Sequence, residues 1–165
     1  MITEPTKSLA ETSILPKRIL VPVDSSENSA RAANVAIEYA KKFGAELLVL
    51  HVIAIPAYTL AEVEGNIGGL ESSKTREYFA LAGQKSKTLV DGVVKSAEAK
   101  GVKATGIIRD YAFSVVETII DQAANNKVDL IVIGTRGLTG FKKLLIGSIS
   151  SGVVNHAHCS VLIVR

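Results

Sequence analysis

Residues 18–52 read RILVPVDSSENSARAANVAIEYAKKFGAELLVLHV, and the alternation inside this stretch decides the fold. Arg18-Ile-Leu-Val-Pro-Val23 and Leu47-Leu-Val-Leu-His-Val52 are short, nearly continuous apolar runs, the pattern of strands buried on both faces, as in parallel sheets. Between them Asp24-Ser25-Ser26-Glu27-Asn28-Ser29 offers several helix caps, and Ala33, Ala36, Ile37 and Ala40 recur at helical spacing. Gly44 ends that helix as a residue able to take a positive φ. The unit is a strand, a helix and a second strand.

Outward from it the alternation continues. Ile55-Pro56 starts an irregular segment containing Gly65, Gly68 and Gly69. The spacing then predicts a helix over 72–100, with Leu81, Leu89, Val90, Val93, Val94 and Ala97 on one stripe and Gly101 closing it. Gly83 and Gly92 weaken this helix by about 1 kcal/mol each relative to alanine, which leaves a break near Gly83 open. A third strand is expected over 102–108. Val115, Val116, Ile119, Ile120 and Ala123 form a third helical stripe, and Asp129-Leu-Ile-Val-Ile133 a fourth strand. Ile149, Val153, Val154 and Ala157 mark a fourth helix, and Val161-Leu-Ile-Val164 a fifth strand.

Strands that strictly alternate with helices imply right-handed crossovers and an open parallel sheet with helices on both faces. The expected fold is doubly wound, Rossmann-like α/β with five strands in the order 3-2-1-4-5. In such sheets ligands sit beyond the carboxyl ends of the strands where the winding reverses, so functional residues belong just after strands.

Composition bounds the function. At 165 residues the chain suits one domain able to bury a core without metals or disulfides: a polar tail over 1–16 and a domain over 17–165. Although 47% of residues are hydrophobic, no apolar run approaches the ~20 residues that cross a bilayer, so a soluble protein without membrane attachment is expected. The first fifteen residues carry Glu4, Lys7 and Glu11 among Thr, Ser and Pro, unlike an export signal. The lone Cys159 makes no internal disulfide, and a cytoplasmic location is the expectation. The net charge of +3 is dispersed and aromatics are only 5%. That balance suits small anionic ligands better than nucleic acid, which asks for a basic face or stacking platforms.

After the fourth strand the chain runs Gly134-Thr-Arg-Gly137-Leu-Thr-Gly140-Phe-Lys-Lys-Leu-Leu-Ile-Gly147-Ser148. Gly134 and Gly137 lack a Cβ that would obstruct a ligand, and they let successive N–H groups turn toward one anion. Gly147-Ser148 directly precedes a helix, so Ser148 is expected as its cap or as a phosphate contact, where the helix dipole favours negative charge. Arg136, Lys142 and Lys143 suit either phosphate neutralisation or solvated loop charges. The loop is no Walker A loop, since no Gly-Lys-Ser/Thr ends it, and the dinucleotide fingerprint after the first strand is absent.

Gly134, Gly137, Gly147 and Ser148 match, position by position, the G-x2-G-x9-G-S/T pattern of ATP-binding universal stress proteins. The chain also resembles that family in Ile19-Leu-Val-Pro-Val-Asp24, in Leu50-His51-Val52 and in its His-Ala-x-Cys-x-Val-Leu-Ile-Val ending, a resemblance covering roughly 17–165. It implies that Asp24 and Val52, with Pro22 and Val23 beside them, hold adenine and ribose. It also implies that Gly134, Thr135, Arg136 and Gly137 pass under the ribose and phosphates, and that Gly147, Ser148 and Ile149 bind phosphate oxygens. ATP is the implied cofactor, with Mg²⁺ or Mn²⁺ bridging the phosphates, since Mg²⁺ commonly binds through substrate phosphates. A homodimer through the C-terminal edge strand, an unidentified client protein and a role as a nucleotide-dependent stress-response switch are implied as well. One departure stands out: Arg109-Asp110-Tyr111-Ala112-Phe113 fills the place of a Gly-x-Pro turn common in the family.

Other readings stand beside this one. Asp24 suits a helix cap as well as a ligand contact. His156, His158 and Cys159 lack a second cluster and the spacing of a zinc site; Cys159 reads as a small buried hydrophobe and His51 as structural. Nothing visible demands catalysis, although slow ATP hydrolysis or phosphorylation of Ser148 is associated with related proteins. An adenylating enzyme of the ATP-pyrophosphatase type lacks its Ser-Gly-Gly-x-Asp-Ser loop here. A flavodoxin-like FMN carrier would use Ser25, Ser26 and Ser29 after the first strand. A dimeric interaction module would use the glycines only as turns.

Overall fold

Strands and helices alternate through one sheet. The computed structural model describes residues 15–56, 59, 73–135 and 146–165. The order is β1 (Arg18–Pro22), α1 (Glu27–Phe43), β2 (Glu46–Ala54), α2 (Ser73–Glu98), β3 (Ala104–Ala112), α3 (Val115–Asn125), β4 (Leu130–Gly134), α4 (Ser148–His156) and β5 (Ser160–Val164). All these strands are parallel, in the order β3-β2-β1-β4-β5, as the alternation of the sequence requires. Among the described residues no helix is long and apolar enough to cross a membrane.

Burial on both sides of the sheet follows from the apolar runs. Ile19, Val21, Leu47, Val49 and Val132 point to the face covered by α1 and α2, where Ala32, Ala36, Ile37, Ala40, Val90 and Ala97 meet them. Leu20, Leu48, Leu50, Ile131 and Ile133 point the other way, onto Ile119 and Ala123 of α3 and Val153 of α4. Adjacent residues of one strand therefore serve opposite layers, which is why these strands show no polar alternation.

Helix boundaries have local causes. Ser26 caps α1, its side chain accepting from Ser29 N–H, and Gly44 closes it at φ 66°. α2 runs unbroken through Gly83 and Gly92, so the break left open near Gly83 is not there; Thr75, Phe79, Ser86, Val90 and Ala97 are buried along its length, and tertiary burial outweighs the propensity cost. The third strand begins at Ala104 rather than 102 because Val102 N–H closes the preceding helix on Ala97 O, with Gly101 at φ 78°.

The largest difference lies at the other end of β3. The sequence suggests a strand ending at 108, with a turn over 109–113, but Val52 pairs with Arg109 and Ala54 with Ala112 across an irregular step in the register. Tyr111 occupies that step at φ 54°, a left-handed conformation rare for a bulky residue, and its ring stacks on Phe79 of α2 at 3.9 Å between centroids. Ile53, Ile55 and Phe79 form a small separate core beneath it. β2 likewise continues two residues past Val52.

Candidate functional site

The winding reverses between β1 and β4, and the chain leaving β1 is tied down atom by atom. Val23, itself buried, donates its N–H to Leu50 O at 2.7 Å, and its carbonyl accepts from His51 Nδ1 at 2.6 Å. Because a carbonyl only accepts, Nδ1 of His51 carries the proton. Asp24 N–H donates to Ser29 Oγ at 2.8 Å. Its carboxylate Oδ1 accepts from Ser26 N–H at 2.9 Å and from the Ser26 hydroxyl at 2.5 Å. The cap of α1 is therefore Ser26, and Asp24 buttresses that cap rather than providing it. Among the described residues Asp24 Oδ2 has no hydrogen-bond partner. It is the free half of a half-buried carboxylate at the mouth of the switch point.

On the β4 side, a Cβ built on Gly134 would stand 2.8 Å from Asn28 O and 2.9 Å from Asn28 C. The first turn of α1 thus lies directly on the end of β4, and the approach of that helix backbone by itself requires glycine at 134. Thr135 follows as a buried junction. Its N–H donates to Val164 O of β5 at 2.8 Å, and its carbonyl accepts from Gly147 N–H at 2.7 Å and from the Ser150 hydroxyl at 3.0 Å. Thr135 and Gly147 are thus joined directly to each other.

That junction sets α4 with its first turn facing the same crevice. Its cap position belongs to Gly147, which has no side chain to offer, and no acidic residue lies in the first turn. α1 differs: Ser26 caps it and Glu27 opens it. Gly147 N–H is already given to Thr135 O, so three N–H groups remain without an intrahelical partner, that of the buried Ser150 and those of Ser148 and Ile149 at the very start of the helix. Ser148 and Ile149 are exposed, and the positive end of the helix dipole lies behind them.

The structure therefore brings Val23, Asp24, Gly134, Thr135, Gly147, Ser148 and Ile149 to one end of the sheet, around β1 and β4. Pro22 is the last residue of β1, paired with Leu50. Val52 lies on β2 next door, inside the strand rather than at its end, because pairing with β3 runs on to Ala54. Arg136, Gly137, Gly140, Lys142 and Lys143 lie outside the described residues. Sequence reasoning missed Ser26 as the chosen cap and Ser150, and it gave His51 no specific partner. The first had a signal in Ser26 lying three residues before Ser29; the other two bond backbone carbonyls distant in the chain, which leaves no pattern in composition or spacing.

Away from the crevice, His156 Nδ1 is bonded to Gly152 O at 2.8 Å and so carries a proton there rather than a lone pair for a metal. Burial, with Asp129 nearby, pushes the Cys159 thiol above the usual range, and its side chain packs against the core of α3 and α4. A protonated, half-buried thiol is a poor nucleophile.

Comparison with known proteins bears on the family and the fold. The model of the universal stress protein family matches residues 16–165. A universal stress protein of Methanocaldococcus jannaschii is 33% identical over 150 residues, covering 90% of this chain and 82% of the relative. The solved structure of universal stress protein UspA from Lactobacillus plantarum superposes with a TM-score of 0.68 at 29% identity, covering 90% of this chain and 97% of that one. The universal stress protein from Archaeoglobus fulgidus in complex with dAMP reaches a TM-score of 0.63 at 20% identity, over 92% of this chain and 99% of that one. The last likeness extends to the fold alone. The chain belongs to the universal stress protein family.

Proposed function

We propose that this protein binds ATP in the crevice between β1 and β4 and acts as a nucleotide-dependent switch in a stress response. The observation that carries the reading is the start of α4: a helix N-terminus with neither a side-chain cap nor an acidic residue, anchored at the switch point by Thr135. An anion there gains two backbone N–H donors, the Ser148 hydroxyl and the helix dipole together. Asp24 Oδ2 supplies an acceptor on the opposite wall for the polar edge of adenine or ribose, with Pro22, Val23 and Val52 as apolar neighbours. Gly134 and Thr135 form the floor, and Arg136 and Gly137, which lie outside the described residues, belong to the proposed phosphate contacts by their place in the sequence. Mg²⁺ or Mn²⁺ fits as a bridge held by phosphate oxygens rather than by a protein cage. Thr135 bonds both the start of α4 and β5, so phosphate occupancy has a direct mechanical route to the edge strand, and a homodimer through that edge is the natural reader of it.

The FMN alternative loses two of its three hydroxyls, because that of Ser26 donates to Asp24 Oδ1 and accepts from Ser29 N–H, and that of Ser29 accepts from Asp24 N–H, which leaves Ser25. Calorimetric titration with ATP, ADP, AMP and FMN in Mg²⁺ checks the reading: ATP is expected to bind most tightly and AMP, which lacks the β- and γ-phosphates, much less. Asp24→Asn keeps an acceptor for Ser26 but removes the charge. It is expected to weaken ATP binding roughly tenfold to a hundredfold, the weight of a hydrogen bond to a charged group. Silence of all four nucleotides in the wild type would leave the interaction module standing.

A further inference from the structure

The two strands that flank the reversal share a device. The residue just past each has its carbonyl captured by a side chain from another part of the chain. Past β1, Val23 O accepts His51 Nδ1–H at 2.6 Å. Past β4, Thr135 O accepts the Ser150 hydroxyl at 3.0 Å, and the same single proton is shared with Gly147 O at 3.1 Å. Ser150 is 2% exposed, and His51 is half-buried.

A peptide unit is planar, so fixing a carbonyl also fixes the N–H of the following residue. The carbonyl of Val23 shares its plane with Asp24 N–H, which lies in line to donate to Ser29 Oγ and so sets the backbone from which the Asp24 carboxylate projects. The carbonyl of Gly147, which also accepts from Ser151 N–H at 2.9 Å, shares its plane with Ser148 N–H, the first donor of α4. The captured peptides of Val23 and Gly147 each lead directly into a residue of the candidate site. We infer that His51 and Ser150 are the positioning residues of this site: His51 aims Asp24, Ser150 aims the first N–H of α4, and neither touches the ligand. The inference rests on the nucleotide-binding reading for its functional weight, but its geometry is a property of the protein alone.

The test uses the full chain and four variants. His51→Asn offers an amide nitrogen near the place of Nδ1, whereas His51→Leu offers none; Ser150→Thr keeps the hydroxyl, whereas Ser150→Ala removes it. In the ligand-free protein the carbonyl ¹³C resonance of Val23 is expected to shift in His51→Leu, and those of Thr135 and Gly147 in Ser150→Ala. Asn and Thr should restore the wild-type values. ATP affinity should fall about tenfold in the Leu and Ala variants, the weight of one net hydrogen bond, and recover in the conservative pair. A lower melting temperature with unchanged resonances and affinity would overturn the inference, leaving both residues with a packing role only. Shifted resonances in a protein whose wild type binds no ATP would keep the positioning and sink the nucleotide reading instead. Should a variant not fold, the wild type decides alone: a long-range ¹H–¹⁵N spectrum must show His51 protonated on Nδ1, and an Nε2–H tautomer overturns the pin.

Discussion

Gly134→Val is expected to unfold at a clearly lower urea concentration than the wild type, with a loss of about 3 kcal/mol, the upper part of the usual range for overpacking. The atoms that the new side chain would meet are Asn28 O and Asn28 C, at 2.8 and 2.9 Å from its Cβ. These belong to the first turn of α1, held by the Ser26 cap and the Asp24 buttress, so no flexible side chain can swing aside. β4 lies between β1 and β5, which denies it a retreat within the sheet. Gly152→Ala is the comparison: there the new Cβ would stand 2.8 Å from Val116 Cγ2, a side-chain methyl of a half-buried residue, and a smaller loss is expected. Equilibrium urea unfolding of both variants measures the difference. A Gly134→Val protein of wild-type stability that failed only to bind nucleotide would restore the first explanation of this glycine, that it clears room for a ligand.

Why that explanation was the natural one from sequence, and why it missed the helix, shows where sequence reading stops. The strands were legible because burial on both faces leaves no room for polar residues: Ile19, Leu20 and Val21 are all fully buried, on alternating sides. The carboxyl end of β3 was not legible for the opposite reason. β3 is an edge strand, and Arg109, Asp110 and Tyr111 are exposed, so hydropathy falls away while backbone pairing continues to Ala112. The place of the crevice followed from topology alone, since helix starts and strand ends meet at the reversal in any sheet of this order. Its inner bonding did not. Asp24, Ser25 and Ser26 are all competent caps, and only the approach of Ser29 selects Ser26. His51 and Ser150 reach carbonyls 28 and 15 residues away, a proximity that exists only once the sheet has formed.

Gly106 passed without comment in the sequence, yet it carries the tightest close approach among the described glycines. A Cβ on it would overlap Val90 Cγ1, and Val90 is 2% exposed in the layer where α2 lies on the sheet. Valine has little rotamer freedom in a helix, so the contact must be relieved by moving α2 or bending β3. Gly106→Ala is therefore expected to destabilise by about 1–3 kcal/mol, although alanine is otherwise the better strand residue of the two. Val90→Ala alone is expected to cost about 2 kcal/mol through lost burial. Together the two changes should cost clearly less than their sum, because the methyl group added by Gly106→Ala enters the space that the Val90 methyl groups leave. A double-mutant cycle by urea unfolding reads this directly, and additivity would show that the spacing of α2 above β3 is not set by this pair. The same spacing places Phe79, further along α2, against the Tyr111 ring. The double mutant should therefore also restore the near-ultraviolet circular dichroism of that stacked pair, which Gly106→Ala alone is expected to disturb as α2 is pushed away from β3.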